Sequence, residues 1–399
     1  MHSLHGGVSH RKNLIWCQPG MNPSTASGPP PFRQGRQSET GNGNYKKESK
    51  VLKMSKKSIK IKNITIGGGN PIAVQSMLNV ATTDLKAVKA QLDALYSAGC
   101  EIVRLAVPTP EAAAVMEEVV AMSPMPVVAD IHFDYRLALS CIKAGVHKIR
   151  INPGNLGGIA RAEAVADAAG AAGVPIRIGV NGGSLQAGLL EKCGGDLAKA
   201  MVESAREHIE ILNRCGFDDI ALSMKSSDVK TTIAAYRLAA SEFDYPLHIG
   251  VTEAGTTKEG IVKSAIGIGS LLADGIGDTI RVSLTDDPVR EVEAAKLILK
   301  SLNLGGDCVS VVSCPTCGRT KIDLIPIANA VTEAVSGIPK KLKVAVMGCV
   351  VNGPGEASDA DIGIAGGDGC AVLFKKGKIV EKIPEDRIVQ RLLKEIEDF

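Results

Sequence analysis

From Pro71 onward the chain alternates short runs rich in Val, Ile and Leu with longer stretches whose apolar residues recur at helical spacing. The short runs predict strands over 72–76, 102–107, 127–131, 148–152, 176–180, 220–224, 247–252 and 279–284. Helical spacing predicts helices over 85–98, 110–122, 196–215, 229–241 and 259–273, and helical segments close on Gly99, Gly145 and Gly216. Strand starts roughly 21 to 44 residues apart match the period of a βα unit with a right-handed crossover. Eight such units predict an α/β chain built on a (β/α)8 TIM-type barrel over 54–302. An open doubly wound sheet suits the pattern less, because no Gly-x-Gly-x-x-Gly turn follows the first strand.

After residue 302 the rhythm shortens. Strands are predicted at 309–313, 343–347, 361–365 and 372–375, with helices over 326–335 and 384–397, enough for a small α/β domain over 303–399.

In a barrel the chemistry sits at the C-terminal strand ends. There the chain offers Gln75 and Ser76, Arg104, Asp130 and His132, Arg150 and Asn152, Arg177 and Asn181, Ser223 and Lys225, Glu253, and Arg281 and Ser283. One such Arg is ordinarily paired with an acid on a solvated rim. Five cations on five strands, Arg104, Arg150, Arg177, Lys225 and Arg281, repel one another at one mouth unless an anion joins them, and phosphate or diphosphate fits best. Glu253 suits acid/base work at that mouth or a structural pairing with Lys225, and His132 reads more simply as a hydrogen-bonded rim residue.

Charge divides unevenly along the 399 residues. Residues 1–53 hold eight Lys or Arg and two Glu, a net +6 within a total of +3, so the rest is at −3 and does not read as a nucleic-acid binder. That aperiodic first segment reads as a disordered basic tail, with Met54 as the expected start of translation and a targeting peptide as the rival reading. No apolar run is long enough for a membrane helix, and no secretory signal opens the chain, so a soluble, cytoplasmic protein is expected. Aromatic residues make up only 3%, which favours packed α/β layers over a sandwich or propeller.

In a reducing compartment, clustered cysteines more often hold metal than form disulfides. Cys17, Cys100, Cys141, Cys193 and Cys215 are scattered and read as bystanders. Cys314-Pro-Thr-Cys317 closes one predicted strand and Gly348-Cys349 another. Three thiolates with an incomplete fourth position suit an iron-sulfur cluster better than a four-cysteine zinc site, since no second C-x-x-C exists. Cys308, Cys370 and Glu356 are the candidates for the fourth ligand.

At this point the motifs resemble a known family, the bacterial 4-hydroxy-3-methylbut-2-enyl diphosphate synthases of the non-mevalonate isoprenoid pathway. The matching stretches are Ile66-Gly-Gly-Gly-Asn-Pro-Ile-Ala-Val-Gln-Ser-Met77, Arg150-Ile-Asn-Pro-Gly-Asn155, Arg177-Ile-Gly-Val-Asn181, Leu222-Ser-Met-Lys225, Gly250-Val-Thr-Glu-Ala-Gly255, Cys314-Pro-Thr-Cys-Gly-Arg319 and Met347-Gly-Cys-Val-Val-Asn-Gly-Pro-Gly-Glu356. They run in order between residues 58 and 399; Leu78 stands where the family often has Thr, and the large insert of plant-type members is absent.

The resemblance implies that Cys314, Cys317, Cys349 and Glu356 hold a four-iron four-sulfur cluster, with Glu356 on the unique iron. It implies that Arg104, Arg150, Arg177, Asn181, Lys225 and Ser283 bind the cyclic diphosphate substrate, and that Glu253 and Asn352 contact its hydroxyls. Arg281 joins the substrate-binding set from its place at the mouth. Reduced flavodoxin or ferredoxin is the expected electron donor and a head-to-tail homodimer the expected assembly. Two rival readings stand beside this one: a pterin-binding-type barrel transferase without a cluster, and a zinc-stabilised interaction module on a phosphate-binding barrel.

Overall fold

The computed structural model describes residues 55–152, 155–350, 357 and 359–399; the readings of residues 1–53, Asn352 and Glu356 lie outside them. It opens with a hairpin that the sequence pattern did not announce as one, β1 (Ser58–Ile61) and β2 (Ile64–Gly67), paired antiparallel. Alternation along the hairpin sends Ile59, Ile61 and Ile66 to one buried face, where they pack on Ala73, Ile102, Val128 and Ala221, each the first or second residue of a later strand. The hairpin therefore plugs the N-terminal end of the barrel, opposite the functional mouth.

The barrel follows as β3 (Ala73–Met77), α1 (Leu85–Ser97), β4 (Ile102–Ala106), α2 (Pro110–Ala114), α3 (Met116–Met122), β5 (Val127–Asp130), α4 (Tyr135–Lys143), β6 (Lys148–Ile151) and α5 (Ile159–Ala172). It continues with β7 (Ile176–Asn181), α6 (Leu189–Lys192), α7 (Leu197–Arg214), β8 (Ile220–Lys225), α8 (Val229–Glu242), β9 (His248–Ile249), α9 (Thr257–Ala273), β10 (Thr279–Ile280) and α10 (Pro288–Ser301). The eight strands β3 to β10 pair in parallel in the order β8-β7-β6-β5-β4-β3-β10-β9. A parallel bridge, Leu222 with Leu247, closes the ring, so the predicted barrel is the observed one. Two strands are shorter than expected: β9 and β10 keep only two residues each, and the chain beyond them turns into mouth loops. The helix expected over 110–122 is broken at Val115 into α2 and α3.

Helix entry is set by acidic caps. Asp84, Asp134, Asp196, Asp228 and Asp287 each accept a backbone N–H of the first turn of the helix that follows, satisfying a donor that has no partner inside the helix. The apolar faces of these helices meet the outward residues of the strands, such as Val103, Leu105, Ile149, Ile151, Ile176 and Ile178, in one continuous core.

The last part is β11 (Val309–Ser313), α11 (Leu324–Ala334), β12 (Leu342–Met347), β13 (Ile362–Gly367), β14 (Cys370–Lys375), β15 (Lys378–Pro384) and α12 (Ile388–Asp398). The five strands pair in sequence order, the first three parallel and the last two antiparallel, around a separate apolar core. The strand β15 is absent from the sequence reading: Ile379 and Val380 are exposed and Ile383 alone is buried, so its apolar residues do not alternate across a buried face. Among the described residues no helix is long and apolar enough to cross a membrane.

Candidate active site

Strand parity decides what faces the barrel interior. In β6, Ile149 and Ile151 go outward to the helices, which turns Lys148, Arg150 and Asn152 inward; in β7, Ile176, Ile178 and Val180 go outward and Arg177, Gly179 and Asn181 inward. In β8 the inward residues are Ala221, Ser223 and Lys225. The register pairs Asp130 with Arg150 and Arg150 with Arg177, so a carboxylate and two guanidinium groups share one level across three strands.

Asp130 is the counter-charge of this cluster. Its Oδ1 lies 3.2 Å from Arg150 Nη1, and its Oδ2 lies 3.8 Å from Arg104 Nε and 3.5 Å from His132 Nε2. Burial alone would raise the Asp130 carboxyl, but Arg104, the His132 hydrogen bond, Arg150 and Arg177 together hold it well below the usual carboxylate range. Arg104 is pushed down to about 10 by burial and by Arg281 and Arg150 against the pull of Asp130, and it stays charged at neutral pH. His132 is half exposed on the rim beside Arg150, as the plainer of its two readings has it.

Arg281 has a partner of its own, Glu291 of α10, at 3.2 Å. Glu291 is buried and also accepts from the Ser76 hydroxyl at 3.0 Å and the Leu284 N–H at 3.1 Å. Two expectations change here. Ser76 turns outward to α10 rather than to the mouth. Arg177 is the second residue of β7 and fully buried, so it lies deeper than the strand end at which the sequence placed it.

Among the described residues, two carboxylates, Asp130 and Glu291, thus face six cations: Arg104, Lys148, Arg150, Arg177, Lys225 and Arg281. Lys148 escaped the sequence reading, although it shares the parity of Arg150 and so the same inward direction. Its Nζ, and Nε and Nη1 of Arg177, are buried with no hydrogen-bond partner among the described residues. Burial and the neighbouring cations lower both Lys148 and Lys225 well below the usual lysine range. Charges this deep are tolerated when an anion completes them.

Two glycines make room for the cations. A Cβ on Gly179 would stand 2.3 Å from Arg150 Nε, and one on Gly250 would stand 2.4 Å from the Arg281 carbonyl and 2.8 Å from Lys225 Nζ. These are the glycines of the Arg177-to-Asn181 and Gly250-to-Gly255 motifs. Three residues beyond Gly250, Glu253 is exposed and held at φ +52°, a left-handed conformation that costs a non-glycine residue about 1 kcal/mol. Among the described residues it forms no ion pair with Lys225, whose Nζ instead lies 3.3 Å from His248 Nε2. Asn181, which ends β7, and Ser283, three residues beyond β10, are both half-buried.

In the C-terminal part, parallel pairing of β11 with β12 puts Cys314 and Cys349 at neighbouring strand ends. The Gly348 N–H donates to Cys314 Sγ at 3.2 Å, and Cys349 is buried. Cys317 is exposed, and a hydrogen bond from the Arg319 backbone lowers its thiol below the usual range. Cys308 sits at the opposite end of β11 from Cys314, about 20 Å away by strand rise, which removes it as a fourth ligand. Cys370 opens β14 at the same end as Cys349, because β13 runs parallel to β12 and β14 returns from it. As placed, no three His, Cys, Asp or Glu groups among the described residues are close enough to hold a metal. The donors themselves suit iron: soft thiols, one already receiving an N–H···S bond and one acidified. Cys100 and Cys141, by contrast, are buried in the barrel core with thiols pushed up to about 12 by burial, as bystanders should be.

Fold and site together define a cation-lined α/β barrel joined to a thiol-bearing sheet domain. The chain belongs to the GcpE family: the GcpE TIM-barrel domain matches residues 56–296 and the GcpE protein C-terminal domain matches residues 310–398. It is 55% identical over 352 residues to the 4-hydroxy-3-methylbut-2-en-1-yl diphosphate synthase (flavodoxin) of Ruminiclostridium cellulolyticum, covering 88% of this chain and 100% of that relative. It is also 55% identical over 349 residues to the protein of that name from Caldanaerobacter subterraneus subsp. tengcongensis, covering 87% of this chain and 98% of the relative. Among solved structures, the sialic acid synthetase of Leptospira borgpetersenii matches 63% of this chain and 90% of its own at 16% identity and a TM-score of 0.45.

Proposed function

We propose that this protein reduces 2-C-methyl-D-erythritol 2,4-cyclodiphosphate to 4-hydroxy-3-methylbut-2-enyl diphosphate, taking up two electrons and two protons and releasing water. The observation that carries the reading is the excess of buried cations over carboxylates inside a barrel of this family. Arg104, Arg150, Arg177, Asn181, Lys225, Arg281 and Ser283 bind the diphosphate. As the ring opens, a phosphate ester oxygen leaves with negative charge, and these fixed cations stabilise it. Glu253 and Asn352 contact the substrate hydroxyls. Held in its strained turn, Glu253 carries a proton to the hydroxyl that departs as water.

Cys314, Cys317, Cys349 and Glu356 would hold a four-iron four-sulfur cluster, which supplies single-electron transfer when bound. Reduced flavodoxin or ferredoxin delivers the electrons, in line with the flavodoxin in the relatives' names. The working unit is a cytoplasmic homodimer, each chain divided into a barrel over 54–302 and a cluster domain over 303–399, with residues 1–53 a separate tail.

The test is anaerobic purification followed by metal, sulfide and turnover assays. Brown protein with iron and acid-labile sulfide that converts the cyclic diphosphate with reduced flavodoxin supports the reading. Colourless protein carrying zinc, or metal-free protein without that turnover, refutes it.

A further inference from the structure

Lys225 ends β8 almost fully buried, and its Nζ lies 3.3 Å from His248 Nε2 on β9. The other ring nitrogen of His248, Nδ1, lies 2.8 Å from Thr279 Oγ1 on β10. His248 and Thr279 are both buried, so a polar chain of Lys225, His248 and Thr279 crosses three neighbouring strands inside the barrel. The backbone of His248 is held as well: its carbonyl accepts from the Tyr236 hydroxyl at 2.6 Å.

A neutral imidazole has one N–H and one lone pair, and the chain admits two arrangements. Either Nδ1–H donates to Thr279 and Nε2 accepts from Lys225, or Thr279 donates to Nδ1 and Nε2–H donates to an uncharged amine. The groups that act on His248 from the packed strands are Arg177, Lys225, Lys148 and Arg104, all basic, and with burial they keep the ring neutral. When a diphosphate occupies the mouth, Lys225 is an ammonium with no lone pair, and only the first arrangement is open. One of its three N–H groups is then spent on His248 Nε2. The others are free for phosphate oxygens, on the side where Gly250 leaves 2.8 Å between Nζ and the place of a missing Cβ.

We infer that His248 is a positioning residue for diphosphate binding: Thr279 orients its ring, and its Nε2 anchors the Lys225 amino group toward the barrel mouth. The inference rests on the proposed role of Lys225 as a diphosphate ligand. A four-carbon lysine stem has many rotamers, and without the anchor the anion must order it on binding. Loss of the anchor therefore weakens binding more than it slows the chemical step.

The experiment titrates the holoenzyme with inorganic diphosphate by calorimetry and measures KM and kcat for the cyclic diphosphate in Lys225→Ala, His248→Asn, His248→Gln and the double variant Lys225→Ala/His248→Asn. Asn reproduces only the Nδ1 side, toward Thr279, whereas Gln extends an acceptor to the Nε2 position. The expected result is about tenfold weaker diphosphate binding and higher KM in His248→Asn with kcat within about twofold, recovery in His248→Gln, and a double variant no weaker than Lys225→Ala alone. The inference is overturned if Lys225→Ala weakens binding but His248→Asn and His248→Gln behave alike, or if the two losses add in the double variant. Unchanged binding in Lys225→Ala would instead overturn the assignment of Lys225 as a ligand. Should His248→Asn fail to fold, His248→Gln set beside Thr279→Val still decides. Near-native binding in the first and a weakened complex in the second support the anchor, and the reverse order removes it.

Discussion

The Tyr236 hydroxyl donates a 2.6 Å hydrogen bond to the carbonyl of His248 while accepting from the Met224 N–H at 3.0 Å. Side-chain oxygen thus takes the place of a ladder bond between β8 and β9, where an isolated bridge closes the barrel. Burial pushes the phenol up to about 12, so it remains a donor throughout the working pH range. Tyr236→Phe leaves two buried backbone groups unpaired and should cost about 1–3 kcal/mol of unfolding free energy, read from urea denaturation. A loss below about 0.5 kcal/mol would show that the strands close the gap without the hydroxyl.

Asp130 gives an acid-side prediction. Its carboxyl is depressed in the fold, so it contributes stability that is complete above the ordinary carboxylate pKa of about 4 and is lost as pH falls through the lower folded value. Asp130→Asn should be less stable than the parent at pH 7, with a difference that shrinks below about pH 4. Thermal unfolding at a series of pH values checks the sign, and a difference that widens in acid contradicts it.

The buried lysines of the barrel predict a proton-linked affinity of the opposite sense. Lys148 and Lys225 are lowered by burial and by neighbouring cations, and an anion bound among them raises them again, so binding takes up protons. Affinity for inorganic diphosphate, corrected for its own ionisation, should fall as pH rises above neutral, by up to about tenfold per pH unit for each proton taken up. Calorimetry in buffers of different ionisation enthalpy reads that uptake directly, and zero uptake would count against the lowered lysines.

Gly179 has an ordinary negative-φ strand backbone, so Ala is tolerated there conformationally and the clash with Arg150 is the whole effect. Gly179→Ala should fold, move the guanidinium away from Asp130, and weaken diphosphate binding by about tenfold or more, a change worth about 1.4 kcal/mol. Unchanged affinity would mean that Arg150 reaches the anion from elsewhere.

Strand polarity separates the cysteines of the last domain. Cys349→Ser should remove iron, labile sulfide and turnover, while Cys308→Ser, at the far end of β11, should leave all three in place. Iron retained in Cys349→Ser would break the proposed ligand set.

Much of this molecule was readable before folding was considered. Period-two runs such as Lys148–Ile151 and Ile176–Asn181, followed by helical segments, determine a βα repeat because backbone geometry allows only two periodicities of burial. The Cys314-to-Cys317 and Cys349 motifs likewise display their thiols in the residue types alone.

Other features needed the third dimension. Lys148 and Arg177 alternate with Ile149, Ile176 and Ile178 along their strands, and only closure of the barrel turns their faces into a buried interior with too few acids. Glu291 lies in a helix and reads as surface charge until α10 carries it to Arg281 and Ser76. His248 and Tyr236 are 12 residues apart on different elements, and their contact exists because the last bridge of the ring brings β9 against β8. Sequence by itself determined the elements, their order and the chemical groups available, since these follow from local sterics and side-chain type. Which charges are paired, which are stranded and which nitrogen faces which oxygen was decided by tertiary structure, because desolvation and Coulomb energy depend on distances through space rather than along the chain.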